Sequence, residues 1–102
     1  MVNSKHDIVN IIKTNQRQLL AFGAIRIGLF GSYAKNVADA DSDIDIFIEF
    51  EKGKKSFKNY TGAYIFLKEL LQKDIDFITP ESLSPYIGPH ILKDLEYVSL
   101  DS

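Results

Sequence analysis

The chain has 102 residues, 45% of them hydrophobic and 25% charged, with a net charge of −2 and no cysteine. That length supports one hydrophobic core and not two, so a single domain over 1–102 is expected, and the lack of cysteine excludes a disulfide framework or a thiolate metal site. No stretch approaches the roughly 20 apolar residues that cross a bilayer, residues 1–23 lack the apolar centre of a signal peptide, and the slightly acidic balance gives no global attraction to nucleic acid, so a cytoplasmic protein without a membrane or direct nucleic-acid role is expected.

Along the chain, Ser4 and Asp7 fit a capping box, and Ile8, Ile11, Ile12, Leu19, Leu20 and Phe22 recur at helical spacing. One amphipathic helix ending at Gly23 is predicted. Ile25 to Phe30 reads as a strand that stops at Gly31-Ser32, and a short helix follows. The next strand runs from about Ile44 to Phe50 and gives way to a polar loop, in which the run Lys52-Gly53-Lys54-Lys55-Ser56-Phe57-Lys58 reads as solvated charge. Ala63 to Leu71 reads as a second amphipathic helix and Ile75 to Thr79 as a third strand stopped by Pro80. Ser84-Pro85 resembles a helix start that Gly88-Pro89 interrupts, and Leu95 to Leu100 fits a small closing strand. His6 and His90 suit surface or capping positions; Tyr33, Tyr60, Tyr64, Tyr86 and Tyr97 suit aromatic packing. Pattern alone therefore gives an α/β domain.

Chemistry concentrates at the start of the second predicted strand. Alternation puts Asp43, Asp45 and Phe47 on one face and Ile44, Ile46 and Ile48 on the other, so the isoleucines take the core and the acids an exposed face. Two carboxylates held that close repel each other unless water or a divalent cation compensates, and Mg²⁺ prefers a few carboxylates with phosphate oxygens. Upstream, the strand, the Gly31-Ser32 turn and the helix start form a phosphate cradle, with backbone N–H groups and the Ser32 hydroxyl facing an anion. The combined pattern, Gly-Ser-x10-Asp-x-Asp, would arise by chance in roughly one chain of this length in a thousand. Gly28 shares the face of Arg26 and Phe30, where a missing side chain either leaves room for nucleotide or answers a packing need.

Gly-Leu-Phe-Gly-Ser-Tyr-Ala (28–34), Ser-Asp-Ile-Asp-Ile (42–46) and Asp-Ile-Asp-Phe-Ile-Thr-Pro-Glu-Ser-Leu (74–83) together resemble the minimal nucleotidyltransferases of the DNA polymerase β superfamily, usually the antitoxin half of HEPN/MNT toxin–antitoxin pairs. The resemblance covers nearly the whole chain. It implies a small palm-like α/β fold, a mixed sheet with helices packed on the Ile44/Ile46/Ile48 face and the site on the other, a face left uncovered for assembly. It also implies that Gly31, Ser32 and Lys35 meet the triphosphate and that Asp43 and Asp45 bind two Mg²⁺ ions. A third carboxylate on a neighbouring strand matches Asp76, which is followed by Phe-Ile-Thr-Pro as in the family; alternation by itself leaves Asp74 as the other candidate. Where the family continues with Arg-Gly this chain has Lys35-Asn36, which keeps the charge but loses the bidentate fork.

The activity so implied is transfer of AMP from ATP to a tyrosine of a HEPN ribonuclease toxin, within a hetero-oligomer, by two-metal chemistry in which Asp76 also helps take the acceptor's proton. Two alternatives stand beside it. One is a nucleotidyltransferase acting on a small-molecule hydroxyl, which normally needs an additional helical domain to close over its acceptor. The other is an antitoxin that binds its toxin and blocks it sterically without turnover.

Overall fold

The computed structural model describes residues 4–100. Its first helical segment is two helices rather than the one predicted: α1 spans Lys5–Thr14 and α2 spans Gln16–Ala21. The break lies at Asn15, whose side-chain amide donates to the Ile11 carbonyl at 2.8 Å and so competes with continuation of the helix. Gly23 terminates α2 at φ +91°, as the sequence suggested. The strand β1 (Ala24–Phe30), the single turn α3 (Gly31–Ala34) and the strand β2 (Ile44–Phe50) follow.

Helix α4 spans Phe57–Leu71, six residues longer at its start than predicted. Ser56 caps it by accepting from the Asn59 N–H at 3.0 Å, and Gly62 inside it is no breaker: a Cβ there would stand 2.6 Å from Cε1 of Phe22. The glycine lets the Phe22 ring approach the helix closely. Ser56→Ala is expected to lower stability by about 1 kcal/mol, measured by denaturant unfolding; no change would mean that packing of Phe22 and Tyr60 alone fixes the start of α4. The chain closes with β3 (Ile75–Ile78), a 3₁₀ turn at Pro80–Ser82, α5 (Gly88–Asp94) and β4 (Glu96–Val98). Gly88-Pro89 therefore opens a helix instead of interrupting one, because proline suits the first turn, where its missing N–H leaves no bond unmade.

The four strands form one mixed sheet in the order β3-β2-β1-β4, with β2 and β3 parallel and the other neighbours antiparallel. Ile27, Leu29, Ile44, Ile46, Ile48, Ile75 and Val98 meet Ile8, Ile12, Leu19, Ala63, Leu67 and Leu71 of α1, α2 and α4 in a buried core. The opposite face carries the acids, but it is not bare. Phe47 on that face is 2% exposed and packs edge-on against Tyr97, and Leu95, just after α5, sits where a Cβ on Gly28 would be. Gly28 thus answers a packing need. No helix among the described residues is long and apolar enough to cross a membrane.

Candidate active site

The sheet register brings the acids together. Phe30 of β1, Asp45 of β2 and Asp76 of β3 are paired in one row across three strands, so the two carboxylates stand side by side on the same face. Asp76 is exposed and Asp45 half-buried. Burial, a hydrogen bond to the Asp76 side chain and the negative charges of Asp76 and Asp43, in that order, push the Asp45 carboxyl up to about 7. Folding therefore holds a proton on Asp45, beside Asp76, to a much higher pH than an ordinary carboxyl keeps one.

Asp43 lies one residue before β2, exposed, and is delivered there by a turn closed by local hydrogen bonds. Within it, Asp39 Oδ1 accepts from the Asp41 N–H at 2.9 Å and from the Ser42 hydroxyl at 3.2 Å, while the Asp39 N–H donates to Ser42 Oγ at 3.0 Å. Such short-range bonds favour a turn over strand or helix. The end of α3, the link at residues 35–38 and this turn together fill the ten-residue spacing seen in the sequence.

The Gly31-Ser32 turn closes on the same carboxylate. Gly31 has φ +70°, and a Cβ built on it would overlap Asp45 Oδ2 and come within 2.9 Å of its Cγ. Only glycine brings the cradle's backbone that close. Ser32, the second residue of α3, is half-buried. Lys35, at the end of α3, ion-pairs with Asp94 of α5 at 3.1 Å. Asn36 holds φ +60°, the left-handed conformation that the family pattern's glycine adopts freely and that asparagine tolerates better than most residues. The Lys35-Asn36 departure thus leaves the backbone path intact.

Asp74 is separated from this cluster. It precedes β3, pairs with Lys68 Nζ at 3.3 Å, and offers its carbonyl to the Ile44 N–H at 3.1 Å. Of the two candidates, Asp76 is the one beside Asp45.

The donor set suits a hard divalent cation, being carboxylate oxygen throughout and next to the Gly31-Ser32 turn. Among the described residues no three His, Cys, Asp or Glu side chains are already gathered as a cation cage. The Asp45–Asp76 hydrogen bond marks where a cation would displace a proton.

The acids lie on open surface. A cavity of about 660 Å³ is elsewhere, lined by Tyr64, Ile65, Lys68 and Asp74 among others on the outer side of α4. Lys55 leaves the charged run to bond Thr79 Oγ1 and Glu81 at 3.1 Å each, and the rest of that run is exposed, as expected of a solvated loop. Its ammonium, after a local backbone bond and Thr79, helps hold the Glu81 carboxyl below the usual range. Tyr60 and Tyr64 pack against Phe77, and Tyr33 is buried. Tyr86 does not pack: it is 86% exposed. Sequence reasoning gave Asp94 no place and put Leu95 in the closing strand, which begins instead at Glu96, since nothing in local spacing links residues 94–95 to residues 28–35.

Known proteins are similar in sequence and fold. The nucleotidyltransferase domain family matches residues 8–98. A Methanocaldococcus jannaschii chain named as a candidate protein adenylyltransferase is 40% identical over 74 residues, covering 71% of this chain and 74% of its own. The protein adenylyltransferase MntA of Thermococcus cleftensis is 32% identical over 93 residues, covering 90% and 93%. Among solved structures, a candidate minimal nucleotidyltransferase superposes with TM-score 0.69 at 25% identity, covering 86% of this chain and 93% of that one. The MNT antitoxin complex with a tri-AMPylated Shewanella oneidensis HEPN toxin superposes with TM-score 0.55 at 19% identity, covering 83% and 69% and showing likeness of fold. With a mixed sheet, a Gly-Ser turn against paired acids and a match over nearly its whole length, the chain belongs to the nucleotidyltransferase domain family and is a minimal nucleotidyltransferase of the MntA type.

Proposed function

We propose that this nucleotidyltransferase is an antitoxin that moves AMP from ATP to a tyrosine hydroxyl of a HEPN ribonuclease toxin and so neutralises it. The observation that carries this reading is the row Asp45–Asp76 lying directly against the Gly31 turn. In the reaction the tyrosine oxygen bonds to the α-phosphorus, the bond from that phosphorus to the bridging oxygen breaks, pyrophosphate leaves, and the hydroxyl proton passes to a base. Asp76, exposed at the acceptor side, takes that proton. The N–H groups at Gly31 and Ser32 hold the triphosphate oxygens, with the Ser32 hydroxyl adding one donor. Asp43, Asp45 and Asp76 would hold Mg²⁺, two ions in this family's pattern, which supplies charge stabilisation to the entering and leaving oxygens. The acids' open setting favours a protein acceptor, whose own surface closes the site, over a free small molecule. The antitoxin acts as a single cytoplasmic domain within a hetero-oligomer with its toxin.

The test is incubation of the purified protein with the product of its adjacent gene, Mg²⁺ and α-labelled ATP, following label and intact mass alongside Asp43→Asn. Label on the partner in steps of one AMP, absent with the variant, is the expected result. A stable complex with bound ATP and no label would favour the antitoxin that only blocks its toxin. The same assay separates the two later acids. Asp76→Asn is expected to lower transfer about 100-fold or more, whereas Asp74→Asn removes only an exposed pair with Lys68 and should change rate less than about twofold. The reverse order would move the third carboxylate to Asp74.

A further inference from the structure

The one-turn helix α3 carries the Gly31-Ser32 turn, yet four residues cannot hold a helix by themselves. Tyr33 and Ala34 anchor its middle in the core, and separate contacts fix its two ends. Gly31 is gripped at the first end by contact with the Asp45 carboxylate. At the other end Lys35, whose N–H donates to the Gly31 carbonyl at 3.1 Å, is gripped through its ammonium by Asp94 at 3.1 Å.

Asp94 is itself fixed. It is the last residue of α5, where a negative charge gains nothing from the helix, and Leu95, next in the chain, sits in the notch left by Gly28 on the acid-bearing face. The chain then enters β4, whose Tyr97 pairs with Gly28. Asp94 is therefore a charge held at a set place by a docked segment, next to a cation on the phosphate-binding turn.

We propose that Asp94 is a positioning residue for the nucleotide: through Lys35 it holds α3 and the Gly31-Ser32 turn in the arrangement that receives the triphosphate. This rests on the nucleotidyltransferase reading of that turn. It makes the C-terminal α5–β4 segment part of the nucleotide site without contact between Asp94 and the reacting atoms.

The test uses the full chain and two readouts, ATP binding without acceptor and steady-state AMP transfer with it. Asp94→Asn is expected to raise the ATP Kd and KM about three- to tenfold, with kcat within about twofold and the thermal midpoint nearly unchanged. Asp94→Glu should recover most of the affinity. Lys35→Gln should show a similar loss, and the double variant little more than either single one, since both remove the same tie. An unchanged or lower Kd in Asp94→Asn, or additive losses in the double variant, would overturn the assignment. Equal losses of kcat, affinity and thermal midpoint would also overturn it, by showing a merely structural contact. Wild-type protein that binds no ATP would instead reject the nucleotidyltransferase reading of the turn, a failure visible before any variant is compared.

Discussion

Asp45→Asn is expected to lower AMP transfer by about a thousandfold or more while leaving the protein folded, and more stable than wild type above neutral pH. Asparagine keeps the volume and a hydrogen bond to Asp76 but cannot supply a charged oxygen to a cation. The stability effect follows from the raised carboxyl. Asp45 goes from an ordinary value of 3.8 to about 7 on folding, so between these values the native state holds the proton more tightly than the unfolded chain. Its contribution to stability is complete below pH 3.8 and is lost as pH rises to about 7. With its half-exposed setting allowed for, wild type should lose about 2 kcal/mol across that window without divalent cation, and Asp45→Asn should flatten the profile. Denaturant unfolding at pH 5 and pH 8 in chelator measures both. For the same reason Mg²⁺ affinity should climb with pH through neutrality, because binding must expel the bridging proton. Full transfer by Asp45→Asn, or a wild-type profile that does not fall with pH, would remove Asp45 from the centre of the site.

Gly31→Ala should be nearly as damaging, for a different reason. The new Cβ meets two penalties, a left-handed backbone at φ +70° and overlap with the Asp45 carboxylate. Destabilisation of about 2–3 kcal/mol and a fall in transfer of about 100-fold or more are expected, since the turn must withdraw from the acid it abuts. Gly53→Ala is the matched control. Gly53 has φ +83° and nothing within 4 Å of a built Cβ, so it isolates the backbone cost, about 1 kcal/mol. Equal effects at both positions would mean that the Gly31–Asp45 contact carries nothing beyond backbone strain.

Local chemistry made the site legible and hid its surroundings. Alternation assigned Ile44, Ile46 and Ile48 to the core and Asp45 to the other face, and the β2 burial pattern agrees, because a strand's faces are fixed by its period of two. The choice between Asp74 and Asp76 needed register: only the parallel pairing of Asp45 with Asp76 shows which acid stands beside it. Glycine and proline were the misleading letters. The second predicted helix starts at Ala63, six residues late, and Gly88-Pro89 reads as an interruption, since local propensity sees neither the Phe22 ring packed on Gly62 nor the proline's place in a first turn. The Lys35–Asp94 pair was out of reach, being a contact between segments far apart in the chain.

The position of β3 at the sheet's edge has a consequence for handling the protein. Its outer backbone groups have no strand partner in the sheet order, and its sequence, Ile-Asp-Phe-Ile, is apolar apart from Asp76. A short edge strand with a charge at its middle resists pairing with a second molecule. Tyr60 covers part of this edge by donating its hydroxyl to the Phe77 carbonyl at 3.1 Å, and the Asp76 carboxylate supplies the charge there, which neutralising it removes. Inactive Asp76 variants should accordingly be checked for monodispersity before any loss of transfer is credited to chemistry.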